Sequence, residues 1–275
     1  MMASSLGSDS STSSDVPQFH HTPSFCEENV YLLCKKLCAD KVADVSDLFV
    51  VFISNENKHV PLWHQKASHR ADGVILWDYH VICIQRRKEG KSMDLVWDLD
   101  SSLPFPSTLS SYISESIRPS FELFSEFQRV FRIVHAPIFL RYFASDRRHM
   151  KDSQGNWMAN PPEYEVIVAE DGNVHNLNEY IEMSTKDVLK DLGEDKINAV
   201  FTKQFGLLVG NSNVLYSCYQ CGQYFLFPHN SNIFVIILPI ITMYLHFFTD
   251  YIYRQANKQI QKTHKVENVK TCHSL

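Results

Sequence analysis

Three residues far apart in the chain have the types needed for thiol chemistry: Cys26, His80 and Asp98. Cys26 opens the stretch "CEENVYLLCKKLC", preceded by "SF". Ser24-x-x-Glu27 there matches a capping box, in which a serine hydroxyl takes a free helix N–H and a glutamate reaches back. The helix expected from Cys26 to about Lys41 would hold the cysteine in its first turn. The partial positive charge of a helix start favours a thiolate. Helical spacing places Cys26 on one face with Val30, Leu33, Cys34 and Leu37, so its sulfur points toward a core rather than open water. Cys34 and Cys38 lie further along and read as small buried hydrophobes.

A base for that thiol follows from strand pairing. The runs "VILWDYHVICIQ" and "MDLVWDLD" flank "RRKEGKS", whose Gly90 suits the left-handed position of a short hairpin loop. With Lys88-Glu89-Gly90 as the loop, His80 stands directly opposite Asp98, with Cβ atoms about 5 Å apart. An unpaired carboxylate among such apolar neighbours would be costly. A buried ion pair that only fixes strand register accounts for His80 and Asp98 taken alone. With Cys26 added, the set becomes a nucleophile, a base and a group that orients the base. The same register sets Asp78 opposite Asp100, where two carboxylates repel unless water or a cation lies between them. Asp78 and Asp100, or Glu27 and Glu28, are therefore candidates for holding a positively charged substrate group. Asp78 and Asp100 also fit a plain wet strand end.

These residues need elements to position them. Past the helix, strands are expected at "LFVVFIS", "HVPLWHQ", "GVILWDYHVICIQ" and "MDLVWDLD". A helical stretch is expected over about 120–143, a polar loop over 144–163, a strand at "YEVIVAE" and a short helix near 176–192. That order gives one mixed α/β domain over 17–205, without internal repeats. Residues 1–16 are polar, Ser-rich and low in complexity, and read as a disordered tail.

Composition narrows the function classes. Of the 275 residues, 44% are hydrophobic and 21% charged, which fits a globular protein. A formal net charge of -5 with no long basic run argues against a nucleic-acid partner. Seven cysteines without framework spacing, and an N-terminus with no apolar h-region, point to reduced thiols in the cytosol or nucleus. Cys218-x-x-Cys221 has metal-like spacing but lacks a second such pair, so no zinc site is expected. No metal or organic cofactor is implied, and no P-loop or dinucleotide fingerprint is present. Residues 206–275 change character around the apolar run "IFVIILPIITMYLHFF" (233–248), which is followed by Arg254, Lys258, Lys262 and Lys265. A bilayer span needs about 20 apolar residues. The segment 233–253 fits a C-terminal anchor or a buried helix or strand equally, and a misread gene end is a third reading.

Taken together, "FCEENVYLLC", "VFISNENKHVPLWHQKA", "GVILWDYHVICI", "WDLDSSLPFP" and "YFASDRRHMKDSQGNWMANPPEY" resemble the eukaryotic protein N-terminal glutamine amidohydrolases, in a form like those of plants. The resemblance runs in order through most of 24–205 and fades after about Phe205. It implies a papain- or transglutaminase-like α+β fold, in which a helix carrying the nucleophile packs on an antiparallel sheet carrying His and Asp. It also implies a triad falling on Cys26, His80 and Asp98. The implied activity converts an N-terminal glutamine of a protein to glutamate and releases ammonia. The product can then be arginylated and enter the N-degron pathway. The implied partners are proteins or peptides beginning with Gln, and a monomer in the cytoplasm and nucleus is expected. A related thiol acyl-transferase or peptidase would share the triad. A catalytically idle protein tethered to a membrane through 233–253 is the reading from a different class.

Overall fold

The computed structural model describes residues 19–87, 93–119, 121–189 and 198–210. The expected tail (1–16), the hairpin loop at 88–90, Cys218 and Cys221, and the apolar segment 233–253 lie outside the described residues. Among the described residues, no helix is long and apolar enough to cross a membrane.

The architecture is α+β, built on a six-stranded sheet in which every pairing is antiparallel. The chain order is α1 (Cys26–Ala39), β1 (Leu48–Ser54), β2 (Val60–Leu62), β3 (Ile75–Trp77), β4 (His80–Gln85), β5 (Leu95–Trp97), β6 (Ser107–Thr108), α2 (Leu109–Tyr112), β7 (Val130–His135), α3 (Ala136–Tyr142), α4 (Leu177–Ile181), α5 (Ala199–Thr202) and β8 (Leu207–Gly210). The large sheet runs β6-β5-β4-β1-β7-β8, and β2 and β3 form a separate pair.

β1 explains why helices cover both faces. All seven of its residues are buried, and its side chains alternate between two cores. Leu48, Val50 and Phe52 join Val30, Leu33 and Leu37 of α1 and Phe139 of α3. Phe49, Val51 and Ile53 join Leu109 and Tyr112 of α2 and Val200 of α5. Each fully buried aliphatic or Phe side chain contributes about 1.5–3 kcal/mol. A seven-residue strand buried on both faces is therefore the natural centre of the fold.

Several expectations are corrected. The run at 130–135 is strand β7 beside β1 and not part of a helix; only Ala136–Tyr142 is helical. Its alternation of buried Val130 and Val134 against Phe131 serves both cores, which a helix could not do. "YEVIVAE" does not form a strand and makes a single bridge, Ser145 to Ile167. Val166 and Val168 are exposed there, so only one side of that segment is covered. "GVILWDYHVICIQ" breaks at Asp78 and Tyr79 into β3 and β4, which serve different sheets.

The sheet takes in β8, beyond Phe205. The buried Arg132 of β7 ties this region together by donating to the carbonyls of Tyr180, Glu182 and Phe205. Gly206 leads into β8 with a φ of 53°, and a Cβ there would stand 1.9 Å from the Ile133 carbonyl oxygen. Only glycine lets the chain pass this close.

Candidate active site

Cys26 is the first residue of α1, as its sequence position requires, but the capping box does not form. Ser24 takes a left-handed φ of 69°, and no side chain caps the helix at Phe25. The entry is instead held from inside. Asn29 accepts from the Thr22 N–H and donates to the Thr22 carbonyl, both at 2.8 Å. Glu27 turns inward, where its Oε2 accepts from the Tyr79 hydroxyl at 2.9 Å. The face predicted for the cysteine is observed: Cys26, Val30, Leu33, Cys34 and Leu37 all point into the core.

His80 and Asp98 come together by a route different from the predicted one. Cys83 faces Trp97, Ile84 faces Val96 and Gln85 faces Leu95, a register two residues away from that expected. A shift of two keeps every side chain on its face. Asp98 lies just past the end of β5, and its Oδ1 meets His80 Nε2 at 3.0 Å with both side chains buried. The rest of Asp98 is also occupied. Its Oδ2 accepts from the Tyr112 hydroxyl at 2.7 Å, and its Oδ1 accepts from the Asp100 N–H at 3.0 Å. The Trp77 ring stacks on the His80 imidazole with centroids 5.1 Å apart. His80 Nδ1 is thereby the free nitrogen: it is buried and has no hydrogen-bond partner.

Charge follows from these contacts. Burial pushes the His80 pKa down, but the Asp98 charge and hydrogen bond outweigh it and hold it above the ordinary imidazole value. Burial pushes Asp98 up, yet His80 and the hydrogen bonds from His80, Tyr112 and the Asp100 N–H hold it below the usual carboxylate range. Cys26 departs from expectation. Burial, then the charges of Glu27 and Asp100, raise its thiol well above the ordinary value, although the Val81 N–H against the sulfur opposes them. The helix-start effect, screened and limited to the first turn, is overridden. The thiol donates to Glu27 Oε2 at 3.7 Å.

The four carboxylates considered for a substrate cation separate clearly. The Asp78–Asp100 pairing is absent because the register is shifted. Asp78 is exposed in the bend before β4, where it accepts from the Tyr79 N–H. Asp100 sits in the turn after β5 with its Oδ1 2.7 Å from His21 Nε2. Glu28 is buried and matched by Arg147, whose Nε and Nη2 donate to its two oxygens at 3.0–3.2 Å. Arg147 also donates to the carbonyls of Pro162 and Tyr164 and lies over the Tyr164 ring. Glu27 is buried too, but its Oε1 has no hydrogen-bond partner; the nearest cationic candidate is His149 Nε2 at 3.4 Å.

His80, Asp98 and Asp100 also bring possible ligand atoms within 4.8 Å of one another, the one such group among the described residues. His80 Nε2 is already on Asp98 Oδ1, Asp98 Oδ2 on the Tyr112 hydroxyl and Asp100 Oδ1 on His21, while His80 Nδ1 stays unpartnered. Sequence reasoning missed Tyr112, Tyr79, Arg147 and His149. Tyr79 was within reach, since strand alternation turns it to the face opposite His80. Tyr112 carries no local signal, because its role depends on where α2 crosses the end of β5.

Comparison with known proteins shows the family of this chain. The family model described as N-terminal glutamine amidase matches residues 21–214. A protein N-terminal glutamine amidohydrolase of Arabidopsis thaliana is 62% identical over 202 residues, covering 73% of this chain and 91% of the relative. Its counterpart in Oryza sativa subsp. indica is 58% identical over 201 residues, covering 72% and 86%. The protein of that name from Homo sapiens is 39% identical over 162 residues, covering 59% and 77%. The matched span contains every described strand and helix, and with them Cys26, His80 and Asp98. The chain therefore belongs to the N-terminal glutamine amidase family.

Proposed function

We propose that this protein hydrolyses the side-chain amide of an N-terminal glutamine on proteins or peptides, giving glutamate and ammonia, with Cys26, His80 and Asp98 as its catalytic residues. Support comes above all from His80: a buried imidazole tied through Nε2 to a carboxylate, with Nδ1 unpartnered, while the backbone N–H of the next residue, Val81, lies against the cysteine sulfur. A helix bearing the nucleophile, packed on an antiparallel sheet bearing the base, is the arrangement of a papain- or transglutaminase-like hydrolase core.

In this reading His80 Nδ1 takes the Cys26 proton as the sulfur attacks the glutamine side-chain carbonyl carbon. Asp98 keeps Nε2 protonated and stabilises the imidazolium that forms. In this reading the N–H groups at the start of α1, ahead of the Asn29 N–H that bonds to the Phe25 carbonyl, stabilise the developing oxyanion. The C–N bond breaks, ammonia leaves with the proton from His80, and a thioester remains. Water then gives a proton to His80 and its oxygen to the thioester, releasing the glutamate side chain. The proton returns to sulfur. No cofactor enters these steps. The glutamate terminus so made is a substrate for arginylation, which places the reaction in the N-degron pathway.

The test is ammonia release from peptides beginning with Gln or Asn, or carrying Gln internally, with wild-type protein and Cys26→Ala. Release from N-terminal Gln alone, abolished in Cys26→Ala, is the expected result. Release that survives Cys26→Ala, or none from any peptide by folded protein, would sink the reading.

A further inference from the structure

An enzyme that acts on a chain terminus must sense the free α-ammonium, and the reading above leaves open which group does so. Burying a carboxylate is tolerated when each oxygen finds a partner. Glu28 meets this condition through Arg147, and Asp100 has His21. Asp78 faces solvent. Of the four, Glu27 alone combines full burial with an oxygen that has no hydrogen-bond partner. Its other oxygen is held by Tyr79 and lies 3.7 Å from the Cys26 sulfur.

Resting on that reading, we propose that Glu27 is the receptor for the substrate α-ammonium, its Oε1 taking the charge while Oε2 stays on Tyr79. Distances agree. In glutamine the α-nitrogen and the side-chain carbonyl carbon are four bonds apart, at most roughly 5 Å. A carbon in line for the sulfur therefore leaves the ammonium within reach of a carboxylate adjoining that sulfur. His149 marks the way in. It stands 3.4 Å from Oε1, beyond a good hydrogen bond, and of the side chains against Glu27 it is the most exposed. Its backbone belongs to a short 3-10 turn, Arg148–Met150, in a surface loop. The ammonium takes the place of that imidazole.

This placement couples recognition to reactivity. Glu27 is one of the charges that hold the Cys26 proton on sulfur. A cation bound to Glu27 neutralises that charge, so a terminal amine both positions the glutamine and eases ionisation of the thiol. An internal glutamine brings no cation and leaves a buried carboxylate unpaired, a form of discrimination stronger than shape alone.

The experiment compares a Gln-initiated peptide with the same peptide in which hydrogen replaces the α-amine, leaving the carboxamide intact. Wild type is expected to prefer the amine by at least about 100-fold in kcat/KM. In Glu27→Gln the amine peptide falls toward the des-amino value, while the des-amino peptide does not fall. The Kd values of both peptides for Cys26→Ala and Cys26→Ala/Glu27→Gln should show the same loss of preference without turnover. Equal losses for both peptides, or an amine preference retained in Glu27→Gln, would overturn the assignment. If Glu27→Gln does not unfold cooperatively, Asp78→Asn and Asp100→Asn decide: retained amine preference in both supports Glu27, and its loss in either overturns it. Wild type that releases no ammonia from the Gln peptide would instead refute the parent reading.

Discussion

At the scale of single residues, Cys26 shows how position and surroundings can pull in opposite directions. A helix start favours a thiolate, but burial and the charges of Glu27 and Asp100 favour the thiol. The protonated form is the one stabilised, so the resting thiol is quiet and gains reactivity as pH rises. Alkylation of Cys26 by iodoacetamide should be slower at pH 7 than that of a free thiol and should climb with pH. Removing one negative neighbour lowers the thiol pKa, so Glu27→Gln should speed alkylation at pH 7. A thiol pKa lower by about one raises the thiolate population, and with it the rate, by about tenfold. Mass spectrometry of the modified peptide over time measures both rates. A Glu27→Gln rate equal to wild type would show that the Glu27 charge does not hold the thiol protonated.

At the scale of elements, the site depends on one ion pair that joins the start of α1 to the loop over 144–157. Glu28 and Arg147 are both buried, with two donors from the guanidinium on the carboxylate and further donors on the carbonyls of Pro162 and Tyr164. Breaking such a pair strands a charge and costs about 3–5 kcal/mol. Arg147→Ala should therefore lower the unfolding free energy measured in urea by that amount. Glu28→Gln combined with Arg147→Met should cost less than Arg147→Ala alone, since no unpaired charge remains. A double variant as unstable as Arg147→Ala would mean that the carbonyl contacts, and not charge, hold the loop. The same loop carries His149 to Glu27, so its anchoring and the site are one piece of structure.

For the molecule as a whole, the sheet closes with β8, whose Leu207, Leu208 and Val209 are buried against β7 and both cores. A chain ending at Phe205 would lose three buried aliphatic side chains, each worth about 1.5–3 kcal/mol. It would also expose one side of β7 as a new edge. That chain should melt at a lower temperature than one ending at Gly210, and should release ammonia from Gln peptides only well below its own melting temperature. Equal melting curves would mean that β8 adds nothing to the core. β1 and β4, which frame the site, lie at the centre of the sheet and do not depend on this edge.

Much of the site was legible in the chain itself. The 3.6-residue spacing of Val30, Leu33, Cys34 and Leu37 determined which way Cys26 points, because a helix has only one apolar face to bury. The two-residue period of a strand determined that His80 and Asp98 share a face, and that survived a register error of two residues because such an error changes no side chain's face. Tertiary structure decided the rest. The strand at Val130–His135 was hidden because a strand buried on both faces shows no polar alternation. The cap expected at Ser24 is absent, and Glu27 instead turns inward to the Tyr79 hydroxyl, a partner 52 residues away in sequence. The division of labour among Glu27, Glu28, Asp78 and Asp100 came from partners distant in sequence, His21 and Arg147 among them, that only the folded chain brings together. Local periodicity is written along one element, whereas the charge state and availability of a buried group depend on every element packed around it.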